Sequence, residues 1–468
     1  MRDNAPTFVI VGKPNNGKSS MISALTFNDT VEVSQEVGTT VVRASYSYIR
    51  DNKIICSFYD TPGFESAKNI WKYIKNNREN SYGNNRIIRN YIRDNKDEEI
   101  KQKDIEILEA ILDSDFLIFM VDISERFNKN SIGAELEIIN FINKPTLVLF
   151  NQKSSKDFSL EWKNELSKYG LNLTHKINPL KMNFTNIMDI YEKLNTIDNS
   201  IKNKSFLENL KQIHNKHIEE NIDKSSQIIA HMIKKVLHLE SEYKLTTDKI
   251  STDDKEKALK QHQNKIYNIE KEAKKEMAKV WGYYQINIID TREEFTSKEN
   301  IELGLSKKRL LLLGIATGAG TGASITAPTS IFDMGLTTAI SSTIGGTLGG
   351  VGAYIVGEKF HKIIISNKKI IYKIDKNAYN VTLILLKRSL EYLYRLIKHG
   401  HANRTNIIIP KEDEKLKFNS QWNFKKEDIQ NIIKIHRYIV KDEDTRKYVD
   451  ELSDIIEQVI STELIDGN

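Results

Sequence analysis

Apolar residues along the chain change spacing once, near residue 200. Before it, Thr7–Val11, Ile54–Tyr59, Phe116–Val121 and Thr146–Phe150 are short apolar runs rich in β-branched and aromatic residues, the pattern of buried strands. Val41–Ile49 is strand-like as well. Ser20–Leu25 predicts the first turns of a helix, a further helix starts near Glu99, and Thr185–Leu194 predicts the helix that closes this part. After it, Phe206, Leu207, Leu210 and Ile213, then Ile228, Ile229, Met232, Ile233, Val236 and Leu237 recur at three and four, which predicts amphipathic helices. From Thr247 to Ala278 apolar residues thin out and Lys/Glu pairs dominate, so a long exposed or coiled helix is expected. It serves either as a structural helix or as a partner surface anchored by Trp281-Gly282-Tyr283-Tyr284. Ile363–Leu396 predicts one or two more helices, and Phe418–Ile465 amphipathic helices with Trp422 as an anchor. The pattern predicts an α/β domain with a mostly parallel sheet, followed by an all-α domain.

Residues 303–357 break the second pattern. They hold 12 of the 22 glycines, and Leu310–Phe332 and Met334–Gly357 carry no charge. Gly314, Gly318 and Gly322 recur at four, as do Ser341, Gly345, Gly349, Ala353 and Gly357, which puts small residues on one helix face where two backbones approach closely. Each segment exceeds the roughly 20 residues that span a bilayer core. Lys307-Lys308-Arg309 and Lys359-Phe360-His361-Lys362 flank the outer ends. A glycine-packed helical hairpin is expected here, either buried in the protein or inserted in a membrane. The expected divisions are 1–198, 199–302, 303–360 and 361–468.

Composition narrows the class. The chain has 468 residues, 39% hydrophobic and 28% charged, too long for one core and ordinary for a soluble protein. A net charge of +6 with no compact basic patch does not imply nucleic acid. Cys56 is the only cysteine, so no intrachain disulfide or cysteine-based zinc site is expected, and a cell interior is the natural compartment. The N-terminus shows no charged-then-apolar secretory pattern and enters a core strand by Thr7. A cytoplasmic location follows as an expectation, with peripheral or integral association at an inner membrane as the hairpin's alternative.

The chemistry concentrates at the first strand–helix junction. Gly12-Lys13-Pro14-Asn15-Asn16-Gly17-Lys18-Ser19 fits G-x-x-x-x-G-K-[ST], between a predicted strand and a predicted helix. Glycines let the backbone approach phosphates, and the helix start offers unpaired N–H groups and a positive dipole end. Lys18 is expected on the β/γ-phosphates and Ser19 on Mg²⁺. In Gly38-Thr39-Thr40, Thr40 is expected to cap Mg²⁺ and meet the γ-phosphate. Asp60-Thr61-Pro62-Gly63 ends a strand; Asp60 is expected to hold Mg²⁺ through water, and the Gly63 N–H to meet the γ-phosphate.

These three motifs, in this order, resemble the Era/TrmE-like bacterial GTPases over about residues 1–195. With Phe58–Glu65, a long insert and the Gly-rich C-terminal half, the chain also resembles a bacterial family that fuses an Era-like GTPase to a C-terminal domain of unknown function. The resemblance implies GTP as ligand and Mg²⁺ as cofactor. The nucleotide-binding set is Gly12, Asn15, Asn16, Gly17, Lys18, Ser19, Ser20, Asn151 and Lys153. The metal set is Ser19, Thr40 and Asp60, and the catalytic set Lys18, Thr40 and Gly63. The water-orienting glutamine of Ras-type enzymes falls at Phe64, which cannot orient water, so slow hydrolysis is expected. Asn15 matches a position where some relatives hold K⁺; the alternative is a local helix-start hydrogen bond. Asn151-Gln152-Lys153-Ser154 departs from the usual Asn-Lys-x-Asp. The Ser-Ala-Lys signature of the last base loop is missing too, its region being Ile177–Met182. A neutral Ser154 accepts one guanine hydrogen bond where Asp accepts two, a loss of ~2 kcal/mol in selectivity unless another group such as Asp157 substitutes.

The remaining features have two readings each. Arg86, Arg89 and Arg93, in the long connection 65–98, predict a short amphipathic helix, either a solvated face or an internal arginine finger. His399-Gly400-His401 fits a helix C-cap on the surface, or a metal site. Three functions are therefore open: a GTP-hydrolysing switch coupled to the C-terminal domain, a dynamin-like membrane-associating GTPase, or a nucleotide-gated interaction module with negligible turnover. A protein partner or a homodimer is compatible with each.

Overall fold

The computed structural model describes residues 5–27, 29, 44–78, 83–96, 98, 101–182, 184–197, 201–247, 250–285, 288–290, 361–366, 368–376, 378–409, 424–441 and 445–466. Thr40 and the expected glycine hairpin at 303–360 lie outside the described residues. The chain forms two compact units. The first comprises residues 1–217 together with 281–287 and 395–407; the second comprises 218–280, 288–394 and 408–468.

The first unit alternates strands and helices. They run β1 (Thr7–Val11), α1 (Lys18–Leu25), β2 (Ala44–Arg50), β3 (Lys53–Asp60), α2 (Ala67–Asn77), α3 (Asn84–Asn95), α4 (Gln102–Asp113), β4 (Phe116–Asp122), α5 (Lys129–Ile142), β5 (Thr146–Asn151), α6 (Ser159–Ser167), β6 (Thr174–Ile177) and α7 (Phe184–Ile197). The sheet order is β2-β3-β1-β4-β5-β6. Only the β2–β3 pair is antiparallel. The central strands are covered on both faces, which is why β4 and β5 are continuous apolar runs. Alternate side chains feed two cores. Val9, Phe119, Val148 and Phe150 pack with α2–α5, while Phe8, Ile118, Met120 and Leu149 pack with α1, α7 and the first turns of the following helix. This parallel α/β layout is the expected one, with the strand ends β1, β3, β4 and β5 gathered around one loop cluster.

The connection 65–98 carries two helices where one was expected. Ile70, Trp71 and Ile74 form the buried stripe of α2, and Ile87, Ile88 and Tyr91 that of α3. Arg86, Arg89 and Arg93 lie on the exposed side, with Arg93 held 3.0 Å from Asp94.

The rest is mostly helical. It continues with α8 (Ile201–Leu237), β7 (Ser241–Lys244), α9 (Thr252–Val280), β8 (Ile288–Asp290), β9 (His361–Ser366), β10 (Lys369–Ile374), α10 (Tyr379–Lys398), β11 (Ile407–Ile409), α11 (Lys426–Val440) and α12 (Thr445–Asp466). The helix expected over Ile363–Leu396 begins only at Tyr379. Residues 361–374 are two strands of an antiparallel sheet ordered β7-β10-β9. Ile363, Ile364, Ile365, Ile370, Ile371, Tyr372 and Ile374 are β-formers, and β10 buries every second residue. Among the described residues, no helix is long and apolar enough to cross a membrane.

In the second unit, Glu270 and Lys274 of α9 meet Arg388 of α10 in a buried ionic triad. Glu270 Oε1 lies 2.6 Å from Lys274 Nζ and 2.8 Å from Arg388 Nε.

Candidate functional site

The loop after β1 is shaped by its glycines. A side chain on Gly12 would collide with the Met120 carbonyl of β4. Gly17 adopts φ 94° at the start of α1, and a Cβ there would sit 2.8 Å from Asn151 Nδ2. Asn16 is buried beneath the loop. Its amide donates to Met120 O at 2.8 Å, and its carbonyl accepts from Asn151 Nδ2 at 3.0 Å. Asn151, at the end of β5, thus latches the loop to the sheet.

Lys18 is only 8% exposed, and its ammonium donates to Lys13 O at 3.1 Å, closing the loop on itself. Burial pushes its pKa down, while Asp60 and Glu135 support the charged form. Ser19 Oγ donates to Asp60 Oδ2 at 2.5 Å. Asp60 is 3% exposed, and its Oδ1 has no hydrogen-bond partner among the described residues. Burial raises the Asp60 carboxyl, while Ser19 and Lys18 oppose that rise. A buried carboxylate oxygen without a partner, next to a serine hydroxyl, is a donor set that suits a hard divalent cation. Ser19 and Asp60 therefore fit Mg²⁺. Ser20 is buried behind them. Thr61 Oγ1 donates to Ile10 O at 2.8 Å, tying the end of β3 to β1. That brings Gly63 against Pro14, where an added Cβ would lie 2.8 Å from Pro14 Cδ. The two phosphate-facing loops are thus in contact.

Asn15 is exposed with φ 66°, and its side chain makes no hydrogen bond among the described residues. Phe64 packs against the core beside α2–α5.

On the base side, Lys153 Nζ pairs with Asp122 Oδ2 at 3.0 Å. Ser124 Oγ accepts from the N–H groups of Lys153 and Ser154, both at 2.9 Å. The loop is thereby held in shape by Asp122 at the end of β4 and by Ser124 just after it, with the Ser154 side chain exposed. Asp157 is engaged elsewhere. It accepts from Lys176 at 2.8 Å and from Ser159 N–H at 2.9 Å, and those bonds hold its carboxyl well below the ordinary range.

Sequence reasoning missed three acidic residues around the site. Asp104, on the buried face of α4, accepts from the Glu65 and Ser66 N–H groups at 2.8 and 2.9 Å and so fixes the segment after Gly63. Glu135, on α5, is 4% exposed, and its Oε2 has no partner among the described residues. The signal available for both was a charge on an otherwise apolar helix stripe. Asp29 follows α1. Its carboxylate accepts from the Tyr284 N–H at 3.0 Å and the Gln285 N–H at 2.8 Å, and Arg404 donates to its carbonyl. Around this clamp, Ser23 Oγ donates to His401 O at 3.1 Å, and Tyr283 stacks on His401 with ring centroids 4.3 Å apart. His401 is buried with a pKa pushed down to about 4, so the neutral ring donates from Nε2 to Trp281 O at 2.6 Å. It is a packing residue rather than a surface one. Among the described residues no cluster of His, Cys, Asp or Glu could hold a metal ion of the multi-ligand kind.

A phosphate loop at the β1–α1 turn, latched from β5 and facing Ser19 and Asp60, defines the class: the N-terminal part is a P-loop GTPase domain. Residues 7–152 match the family described as "50S ribosome-binding GTPase". Residues 163–458, more than half of the chain, match "Domain of unknown function (DUF3482)", and the chain belongs to that family. It is similar to GTPase Der of Mycoplasma capricolum, 24% identical over 222 residues that cover 45% of this chain and 44% of Der. It is also similar to tRNA modification GTPase MnmE of Mycoplasma mobile, 30% identical over 189 residues, 38% of each chain. The chain thus spans less than half the length of the curated relatives it matches. A crystal structure of Aquifex aeolicus Era bound to GDP and AlF4⁻ aligns with 59% of this chain and 90% of its own at 16% identity and a TM-score of 0.30.

Proposed function

We propose that this chain is a Mg²⁺-dependent GTP switch that hydrolyses slowly and passes its nucleotide state to the C-terminal half. The observation that carries the coupling is the clamp on Asp29. This residue stands directly before the stretch 31–42 that contains Thr40, and the groups that hold it come from residues 284, 285 and 404. In the proposal, Thr40 closes on Mg²⁺ with the triphosphate, and the root of its loop pulls on the chain segments that leave α9 and α10. Coupling through such an element is typically worth ~1–3 kcal/mol, and it is reciprocal. Asp29→Ala, which removes both amide acceptors, is therefore expected to change the ratio of GTP to GDP affinity by roughly fivefold or more. Equilibrium titration of both nucleotides reads this; an unchanged ratio would refute the coupling.

Slow turnover follows from Phe64, whose apolar ring packs against the core and cannot orient water. Exposed Asn15 is the proposed K⁺ ligand on the phosphate loop. Turnover is expected to be faster in K⁺ than in Na⁺, with the gain absent in Asn15→Ala; equal rates in the two salts would remove K⁺ from the account. Guanine is held without a carboxylate at Ser154, and Asp157 is occupied by Lys176. Preference for GTP over ATP should consequently be weaker by ~2 kcal/mol than an aspartate would give.

A further inference from the structure

The buried acid beside the phosphate loop has a use that the switch reading leaves open. Glu135 sits on α5 one turn after Ser131, whose hydroxyl accepts from Lys13 Nζ, so the Lys13 side chain lies along the same face of the helix. The charges of Lys13 and Lys18 act on Glu135 from the phosphate loop, and that of Asp104 acts on it from α4. Asp104 is satisfied by the Glu65 and Ser66 amides. Glu135 Oε2 is not satisfied by any described group. A buried carboxylate without its hydrogen bonds is costly, and two lysines are the compensation that the site supplies.

We propose that Glu135 is a resident counter-ion of the phosphate loop, carrying negative charge beside Lys13 and Lys18 at alkaline pH without nucleotide and protonated when a triphosphate enters, so that nucleotide binding there takes up a proton. This rests on the phosphate-site reading above. The balance is simple: a proton from solvent adds to the Glu135 carboxylate, and no other bond changes. The triphosphate brings negative charge to the same two lysines, and their support for the carboxylate falls. Burial, opposed by Lys13 and Lys18, pushes the carboxyl up to about 7. Added negative charge moves it higher. The sign follows from linkage: a proton bound more tightly in the complex makes affinity highest at low pH and lets it fall as pH rises above about 7. At its limit one proton gives tenfold per pH unit.

Titration calorimetry of the full chain with a slowly hydrolysed GTP analogue and Mg²⁺, at pH 8 in two buffers of different ionisation enthalpy, counts the protons. The wild type is expected to take up close to one proton at pH 8 and to bind about fivefold more weakly at pH 8 than at pH 7. Glu135→Gln, neutral at both pH values, is expected to bind with little proton uptake and no such loss. Binding by the wild type without proton uptake overturns this proposal alone, and needs no variant to fold. Uptake that is unchanged in Glu135→Gln also overturns it by assigning the proton elsewhere. Absence of any binding by the wild type overturns the phosphate-site reading and this proposal with it.

Discussion

Lys18→Ala should weaken Mg²⁺-nucleotide binding by roughly a hundredfold or more, since a hydrogen bond to a charged group is worth ~1.5–3 kcal/mol and the proposed role of Lys18 gives it two, to the β- and γ-phosphates. The fold should survive. The ammonium is buried, and burial works against its charge. Removing it relieves that cost, although it also leaves Asp60 and Glu135 less compensated. The melting temperature should therefore shift by only a few degrees, about the change that 1 kcal/mol produces in a domain of this size. Ser19→Asn tests the neighbouring role. It removes the hydroxyl that bonds Asp60 at 2.5 Å and should abolish the Mg²⁺-dependent part of the affinity, leaving any metal-free binding in place. Titration of a fluorescent GTP analogue with and without Mg²⁺ measures both. Wild-type affinity in either variant would remove that residue from the site.

Glu270→Ala should be the most damaging change in the second unit. It leaves Lys274 and Arg388 buried at 6% and 3% side-chain exposure with their counter-charge gone. Breaking a buried ion pair from one side costs ~3–5 kcal/mol, whereas replacing all partners together by apolar residues of similar size is often close to neutral. A Glu270→Leu, Lys274→Met, Arg388→Leu triple variant should accordingly be much more stable than the single one. Burial alone would raise the Glu270 carboxyl, but Lys274 and Arg388 hold it at about 2, below its ordinary 4.5. A depressed folded value means the contribution is complete above pH 4.5 and is lost as pH falls toward 2. The difference between wild type and Glu270→Ala should narrow over that window. Urea midpoints at pH 7 and pH 3 check this, and a single variant as stable as the wild type would show that the triad is not holding α9 to α10.

How much of this was legible in the sequence depended on range. The phosphate loop and Asp60–Gly63 are local strings whose residue types are dictated by backbone geometry and charge, so they could be read before any fold. The strands β4 and β5 were equally plain, being covered on both faces and apolar throughout. The stretch 361–374 was misread because a short isoleucine-rich run satisfies helical and strand spacing alike; its pairing with Ser241–Lys244 decided the matter from more than a hundred residues away. Glu135 and Asp104 show in the sequence only as charges on apolar helix stripes, and what each faces is set by the neighbouring loops. The Asp29 clamp is the extreme case. Its amide partners are 255 and 256 residues away, and backbone N–H groups leave no trace in side-chain type.

That clamp carries the central claim, and amide hydrogen exchange at Tyr284 and Gln285 tests it most directly. Their N–H groups are the ones Asp29 accepts from. With a saturating, slowly hydrolysed GTP analogue and Mg²⁺, exchange at these two positions should slow by roughly fivefold or more relative to the GDP-bound chain, the lower end of ordinary coupling. Asp29→Ala should erase the difference between the two nucleotides. Equal exchange in the GTP-analogue and GDP states of the wild type, at full occupancy, would contradict a switch that speaks to its C-terminal half through Asp29.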